Sequence, residues 1–293
     1  GSIIQVGGPV CDGFFVKAVV FLKAVEWAEP RGLKPNAVLS SRCDPYSPST
    51  ASGWQHYFEE LPSQQLPQQG DNRVFELHEL AAFWLYTVNS SGSPIYPGSF
   101  AQAGRIREQR ARAVQRWLRP AVRLQRMATA FWLRELRNST PVLGVHVRGT
   151  DKHLGRHVRP HEYYRFIVAW LTYYPLGGVF LATDDELVLR AMMDRFGSRL
   201  TFQRNISRSA CADKKHLEGC LFSNAMSRPV AAQQANIGDI VMLDSLLLAK
   251  CDFMLKPASA VSEFAIYWSG ARLHNASFDF ELRGQPKPNA AWL

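Results

Sequence analysis

The chain has 293 residues, 46% apolar and 20% charged, with a formal net charge of +9 at pH 7. That balance excludes a disordered or fibrous chain, and no segment reaches the roughly 18 consecutive apolar residues of a bilayer span. The cationic excess invites a nucleic-acid reading, but no reader motif accompanies it; the length allows one large domain or two ordinary ones, and two are expected.

Gly1-Ser2 reads as a vector-derived remnant and the chain is expected to lack its native N-terminus, so the absence of a signal or anchor is uninformative. Ile3 to Val6 is a short apolar strand, Gly7-Gly8-Pro9 and Gly13 a glycine-rich turn, and Phe14 to Trp27 an amphipathic helix. Val38 to Ser40 suggests a second strand. Residues 44 to 73 are rich in Pro, Ser and Gln and are interrupted by the aromatic cluster Trp54 to Phe58; an irregular stretch of that length is functional or mobile. Helices are expected near 76 to 87 and over 101 to 137, broken at Pro97-Gly98 and interrupted at Pro120.

Within 101 to 137, Ile106, Val114, Trp117, Leu118, Val122, Met127 and Phe131 recur at helical spacing. Arg105, Arg107, Arg110, Arg112, Arg116, Arg119, Arg123 and Arg126 are therefore expected on the solvated side. A surface for an acidic ligand is the alternative.

The second half alternates: strand 142 to 147, helix 160 to 173, strand 178 to 182, helix 185 to 196, strand 199 to 202, a loop to about 230, helix 237 to 249, strand 252 to 255, helix 259 to 269. Such alternation implies a parallel sheet covered on both faces. The expected organisation is an N-terminal domain over 1 to 140, a ligand-binding domain over 141 to 275, and a tail or strap over 276 to 293.

The five cysteines, Cys11, Cys43, Cys211, Cys220 and Cys251, show no paired zinc-ligand spacing. Cys211 and Cys220 bracket a polar loop and could bridge in an oxidising lumen; a Cys11 to Cys43 bridge is another option, and Cys251 reads as a small buried residue. Four Asn-x-Ser/Thr sequons, at Asn89, Asn138, Asn205 and Asn275, fit a glycosylated lumenal protein.

In an open parallel sheet, ligands sit beyond the carboxyl ends of the strands. The first strand of the second half ends in His146-Val147-Arg148-Gly149-Thr150-Asp151-Lys152. An arginine there offers bidentate donors to a phosphate, and a lysine adds a mobile point charge. The next strand ends in Ala182-Thr183-Asp184-Asp185, carboxylates suited to capping a helix or holding a ligand. Asp244 lies in an apolar helix and needs a partner; a guanine base would supply one through its N1 and N2 hydrogens. Ser259 to Glu263 follows another strand, so its helix start and hydroxyls, Ser259 and Ser262 among them, can face a diphosphate. Each residue also has a plainer reading: His146 as a packed strand histidine, Arg148 with Asp151 as an ion pair, and Asp184, Asp185 and Ser259 as helix caps.

Taken in order, these motifs resemble the GDP-fucose-binding domain of the α1,6-fucosyltransferases, a superfamily that includes the rhizobial nodulation fucosyltransferase and the protein O-fucosyltransferases. The resemblance covers about 140 to 270. It implies an α/β, GT-B type fold, two Rossmann-like domains with parallel sheets facing a cleft, and inverting, metal-independent transfer of fucose from GDP-fucose to a glycan or glycoprotein acceptor. GDP would be the product, with no cofactor or metal, no nucleic-acid partner, and a membrane attachment only through an anchor beyond this sequence. The implied location is the secretory pathway, in the Golgi lumen.

By position, Arg148 would bind the β-phosphate, Asp244 the guanine edge and His146 the nucleoside, while Lys152 would neutralise the developing diphosphate. Asp151 and Asp184 match motif carboxylates that organise the site, and Gly7 and Gly8 would close over the diphosphate. The sequence departs from the core-fucosylating enzymes in two places: Arg156 stands where those have a glutamate, and Gly149 replaces a second arginine. His153 and His157 are the candidate bases, with Glu162 more remote. Transfer of another sugar from a GDP donor, and a non-catalytic glycan- or peptide-binding module on the same fold, are the alternatives.

Overall fold

The computed structural model describes residues 3–6, 14–32, 34–37, 53–59, 98–149, 158–204, 206, 208 and 231–288. At its centre is a five-stranded, all-parallel sheet of β3 (Val142–Val147), β4 (Gly178–Thr183), β5 (Leu200–Phe202), β6 (Phe253–Lys256) and β7 (Ser277–Asp279), in the spatial order β5-β4-β3-β6-β7. β3, β4 and β6 are buried along their whole length, which is why they read as nearly continuous apolar runs, with His146, Thr183 and Lys256 at or near their carboxyl ends, rather than as alternating ones.

Side chains alternate between two cores across this sheet. On one face Leu143, Val145 and Val147 pack with Ile167 and Trp170 of helix α5 (Pro160–Tyr173) and Val188 and Met192 of helix α6 (Glu186–Phe196). On the other, Val142 and Phe180 join Met242, Leu247 and Leu248 of helix α7 (Ala231–Lys250) and Phe264 and Ile266 of helix α8 (Ala260–Trp268). A Cβ on Gly144 would meet Cys251 Sγ and a Leu248 methyl at 3.0 Å, so the central strand needs a glycine where α7 ends against it. Cys251 is fully buried, and burial pushes its thiol pKa up.

The second core continues past residue 140. It takes in Phe15, Phe21 and Leu22 of helix α1 (Phe14–Ala28), Tyr57 of helix α2 (Gly53–Tyr57), Val114 and Trp117 of helix α3 (Phe100–Trp117), and Leu124 and Ala128 of helix α4 (Val122–Glu135). Helices from both sides of the expected boundary therefore share one apolar interior. Ahead of α3 the described chain forms a parallel pair, β1 (Ile3–Val6) with β2 (Lys34–Ala37), connected through α1. The described second strand precedes the expected 38 to 40, which lies outside the described residues, as does the helix expected at 76 to 87.

Pro120 interrupts the α3–α4 run as expected, and the break is used: Ala121 N–H donates to Tyr57 O at 2.9 Å and Glu59 N–H to Arg119 O at 2.8 Å. The solvated-arginine expectation fails at two positions. Arg107 and Arg110 are buried, on the same face of α3 as Ala103, Val114 and Trp117, while the other six arginines are exposed. Val122 and Met127, expected inside, are 49% and 40% exposed.

Arg107 is buried because it has buried carboxylates to meet. Its Nη2 and Nε donate to Glu263 Oε1 and Oε2 at 2.6 and 3.0 Å, and Lys256 Nζ donates to Glu263 Oε1 at 2.9 Å and to Asp279 Oδ2 at 2.5 Å. Burial alone would raise the Glu263 carboxyl pKa; the charges and hydrogen bonds of Arg107 and Lys256 outweigh it and hold it well below the usual carboxylate range. Arg110 Nη1 donates to Tyr267 OH at 2.9 Å. Asp279 belongs to β7, so the segment expected as a tail beyond 275 opens with the fifth strand of the sheet. Its continuation then returns to α3, where Phe100 N–H donates to Arg283 O at 2.8 Å.

Candidate functional site

From β3 the chain steps to β4 and β5 on one side, then crosses to β6 and β7 on the other. The order reverses between β3 and β6, and a crevice opens at the carboxyl ends of strands at such a switch point. The two residues flanking it are Arg148, next after β3, and Ser259, just before α8. Arg148 is half-buried, Ser259 is fully buried, and Arg148 Nη1 lies 3.5 Å from Ser259 Oγ. Ser259 occupies the N-cap position of α8 with extended backbone, yet its side chain makes no capping bond. The helix start therefore brings together a guanidinium, a hydroxyl and the positive end of the helix dipole.

The two adjacent acids after β4 are separated in role. Asp185 caps α6, its Oδ1 accepting from Leu187 N–H at 2.8 Å and Val188 N–H at 3.3 Å. Asp184 reaches across instead, and its Oδ1 accepts from Gly149 N–H at 2.9 Å, tying the loop after β3 to the end of β4. A Cβ placed on Gly149 would fall on the Asp185 side chain. This explains why no arginine stands at 149: the space is filled by an N-cap that α6 needs.

Asp244 lies on the other side of this edge. Gln203, the first residue after β5, donates from Nε2 to Asp244 Oδ1 at 2.6 Å and to Ile240 O at 3.0 Å. Arg208 spans the same edge, Nε donating to Thr183 O at 3.1 Å and Nη2 to Gln203 O at 2.9 Å. Desolvation raises the Asp244 pKa to about 7; the Gln203 bond and the Arg208 charge oppose the rise and Asp184 adds to it. Desolvation in turn lowers the Arg208 pKa, against the pull of Asp244, Glu186 and Asp184. A carboxyl poised near neutrality beside a guanidinium that makes no ion pair within 4 Å among the described residues is an arrangement found at binding sites.

Arg148, Asp184, Asp244 and Ser259 are thus all at the carboxyl edge of the sheet. His146 is buried in β3, and its carbonyl accepts from Tyr163 OH at 3.0 Å. Ser262 is buried and donates into its own turn, to Ser259 O at 3.1 Å and Pro257 O at 3.4 Å. Glu162 serves the start of α5, accepting from Arg159 N–H at 2.9 Å. Gly7, Gly8, Asp151, Lys152, His153 and His157 lie outside the described residues. Among the described residues, no group of His, Cys, Asp and Glu side chains is placed to hold a metal ion.

Sequence reasoning missed Gln203 and Arg208. The first was within reach, since the rule of reading the residue after each strand applies to β5 as well. The second stands in a polar loop with no pattern to mark it.

No protein-family model matches the chain, and no curated protein matches it. Among solved structures, POFUT1 in complex with GDP-fucose is similar at 12% identity, covering 97% of this chain and 98% of that one with a TM-score of 0.50. The fucosyltransferase NodZ from Bradyrhizobium is similar at 15% identity, covering 90% of this chain and 91% of that one with a TM-score of 0.49. NodZ soaked with GDP-fucose is similar at 14% identity, covering 91% and 92% with a TM-score of 0.48. The chain therefore has the α/β, GT-B type fold of the GDP-fucose fucosyltransferases, the group its motifs resemble.

Proposed function

We propose that this chain is a glycosyltransferase that takes its sugar from a GDP donor, GDP-fucose by the resemblance of its motifs, and delivers it to a glycan or glycoprotein acceptor. The observation that carries the reading is the pairing of two half-sites on one sheet edge: Asp244 held by Gln203 beside Arg208, and Arg148 against Ser259 at the start of α8. The first suits a guanine edge, which donates two hydrogens to one carboxylate. The second suits a diphosphate, which needs donors and positive charge.

In the proposed reaction the bond between the sugar C1 and the diphosphate oxygen breaks as the acceptor oxygen bonds C1 from the opposite face, inverting the anomeric centre. The electron pair leaves with GDP, an acidic leaving group that calls for charge stabilisation more than for a proton. Arg148, Lys152 and the α8 start supply that charge, so no metal is required. A base, His153 or His157, takes the acceptor proton. The four sequons support a secretory location, with the Golgi lumen as the proposed site of action.

The test is a calorimetric panel of GDP, UDP and ADP followed by transfer assays with GDP-fucose and GDP-mannose. Binding confined to GDP with turnover of GDP-fucose supports the reading. Binding without turnover of either donor on a broad acceptor panel favours a glycan- or peptide-binding module, and equal binding of all three nucleotides refutes the base assignment.

A further inference from the structure

Both sequons within the described residues sit on the edge of the sheet away from the donor site. Asn138 precedes β3 by four residues and Asn275 precedes β7 by two, and in a parallel sheet every such approach lies at the amino ends. Both asparagines are exposed. Asn275 is also a wall of a groove of about 520 Å³, whose other sides include Phe100, Trp170, Tyr174, Asp252 and Gln285.

This groove has the chemistry of a sugar site. Phe100, stacked on His274, and Tyr174, tilted against Trp170, are half-buried in its wall and give it the apolar surface on which a pyranose packs. Trp170 is 3% exposed, and its indole N–H has no partner among the described residues; a buried donor of this kind ordinarily finds one. Asp252, whose Oδ2 accepts from Val142 N–H at 2.7 Å, adds a carboxylate. A glycan attached at Asn275 would begin at the wall of the groove and would need only weak intrinsic affinity, because tethering supplies an effective concentration on the order of millimolar.

We propose that Asn275 is an N-glycosylation site and that the first sugars of its glycan lie in this groove against Tyr174 and Phe100. In the modification, the Asn275 amide nitrogen bonds C1 of a lipid-linked oligosaccharyl diphosphate and loses one proton, and the lipid diphosphate leaves with the electron pair. The proposal rests on the secretory reading and is independent of the donor assignment.

The protein is produced in a secreting eukaryotic host and its Asn275 peptide analysed by mass spectrometry, with Tm measured for the parent, Asn275→Gln, Tyr174→Ala, Tyr174→Phe and Asn275→Gln/Tyr174→Ala. Occupancy at Asn275 is expected, with loss of the glycan lowering Tm by roughly 2–4 °C. Tyr174→Ala should lower Tm in the glycosylated protein and much less in the Asn275→Gln background, while Tyr174→Phe keeps the ring and the Tm. An unmodified Asn275 in secreted, folded protein overturns the proposal, as does a Tyr174→Ala loss equal in both backgrounds. GDP binding measured on the same preparations separates it from the donor reading: occupancy without GDP binding would sink that reading and leave this one standing.

Discussion

Gln203 holds the Asp244 carboxylate at 2.6 Å in a setting that raises its pKa to about 7. Without a ligand the group shares its proton near neutrality, whereas a guanine edge binds the carboxylate only. GDP affinity should therefore fall about tenfold per pH unit below 7, with net proton release on binding. Calorimetry in two buffers of different ionisation enthalpy measures this; a pH-independent affinity from 5.5 to 8 would remove Asp244 from the base site.

The same acid bears on stability with a definite sign. Its folded pKa is raised above the ordinary 3.8, so the folded protein binds the proton more tightly than the unfolded one, and stability falls as pH rises from about 4 to 7. Asp244→Asn should consequently raise the ligand-free Tm at pH 8 by a few degrees while weakening GDP at least tenfold, the loss of a charged contact of about 1.5–3 kcal/mol. Thermal melts with and without GDP report both effects, and unchanged GDP affinity would count against the assignment.

Arg208 opposes the rise of the Asp244 pKa. Removing its charge in Arg208→Ala should shift the pH dependence of GDP binding upward, and Arg208→Lys should restore part of it. A uniform affinity loss with no pH shift would make Arg208 a loop support only.

Gly149→Arg tests why the motif's second arginine is missing. Its Cβ would displace Asp185 from the α6 cap, a loss of about 1 kcal/mol or more. A lower Tm is the expected result, with GDP affinity no better than the parent; a variant with parental Tm and tighter GDP would show that the space can be made.

Chelation gives a further check. With Arg148 and the α8 start as the diphosphate contacts, EDTA should leave transfer intact and Arg148→Ala should abolish it. Loss of activity in EDTA, restored by manganese, would displace Arg148 as the chief phosphate contact.

The alternating strands and helices from 142 to 268 were legible because burial on both faces turns a parallel strand into an apolar run. β3 and α5 fall where the pattern puts them. β7 escaped notice since Ser277-Phe278-Asp279 is short and its buried aspartate is affordable only beside Lys256, a contact 23 residues distant in sequence. Arg107 and Arg110 were misplaced for a related reason: helical spacing marks a face, but the partners that permit a charge inside it, Glu263 and Tyr267, lie more than 150 residues away. Arg148, Asp184 and Ser259 were accessible through strand ends and Asp244 as a carboxylate in an apolar helix, whereas Arg208 stands in a stretch of sequence that has no period.

Glu263→Gln probes the cluster behind α8. It would leave Arg107 and Lys256 sharing Asp279 alone, and breaking a buried pair costs about 3–5 kcal/mol. Denaturant unfolding should show that loss; a loss below about 1 kcal/mol would mean that water enters and screens the cluster.

Apolar packing between helices tolerates small slides, because one methyl group substitutes for another. The four-charge cluster of Arg107, Glu263, Lys256 and Asp279 does not, since moving α3 by a single turn would withdraw Arg107 and leave Lys256 alone to neutralise two buried carboxylates. α3 is thereby keyed to β6, β7 and α8 at one setting, and the wall behind the Ser259 helix start behaves as a fixed abutment. Whatever opening and closing a donor requires must be accommodated by parts of the chain other than this one.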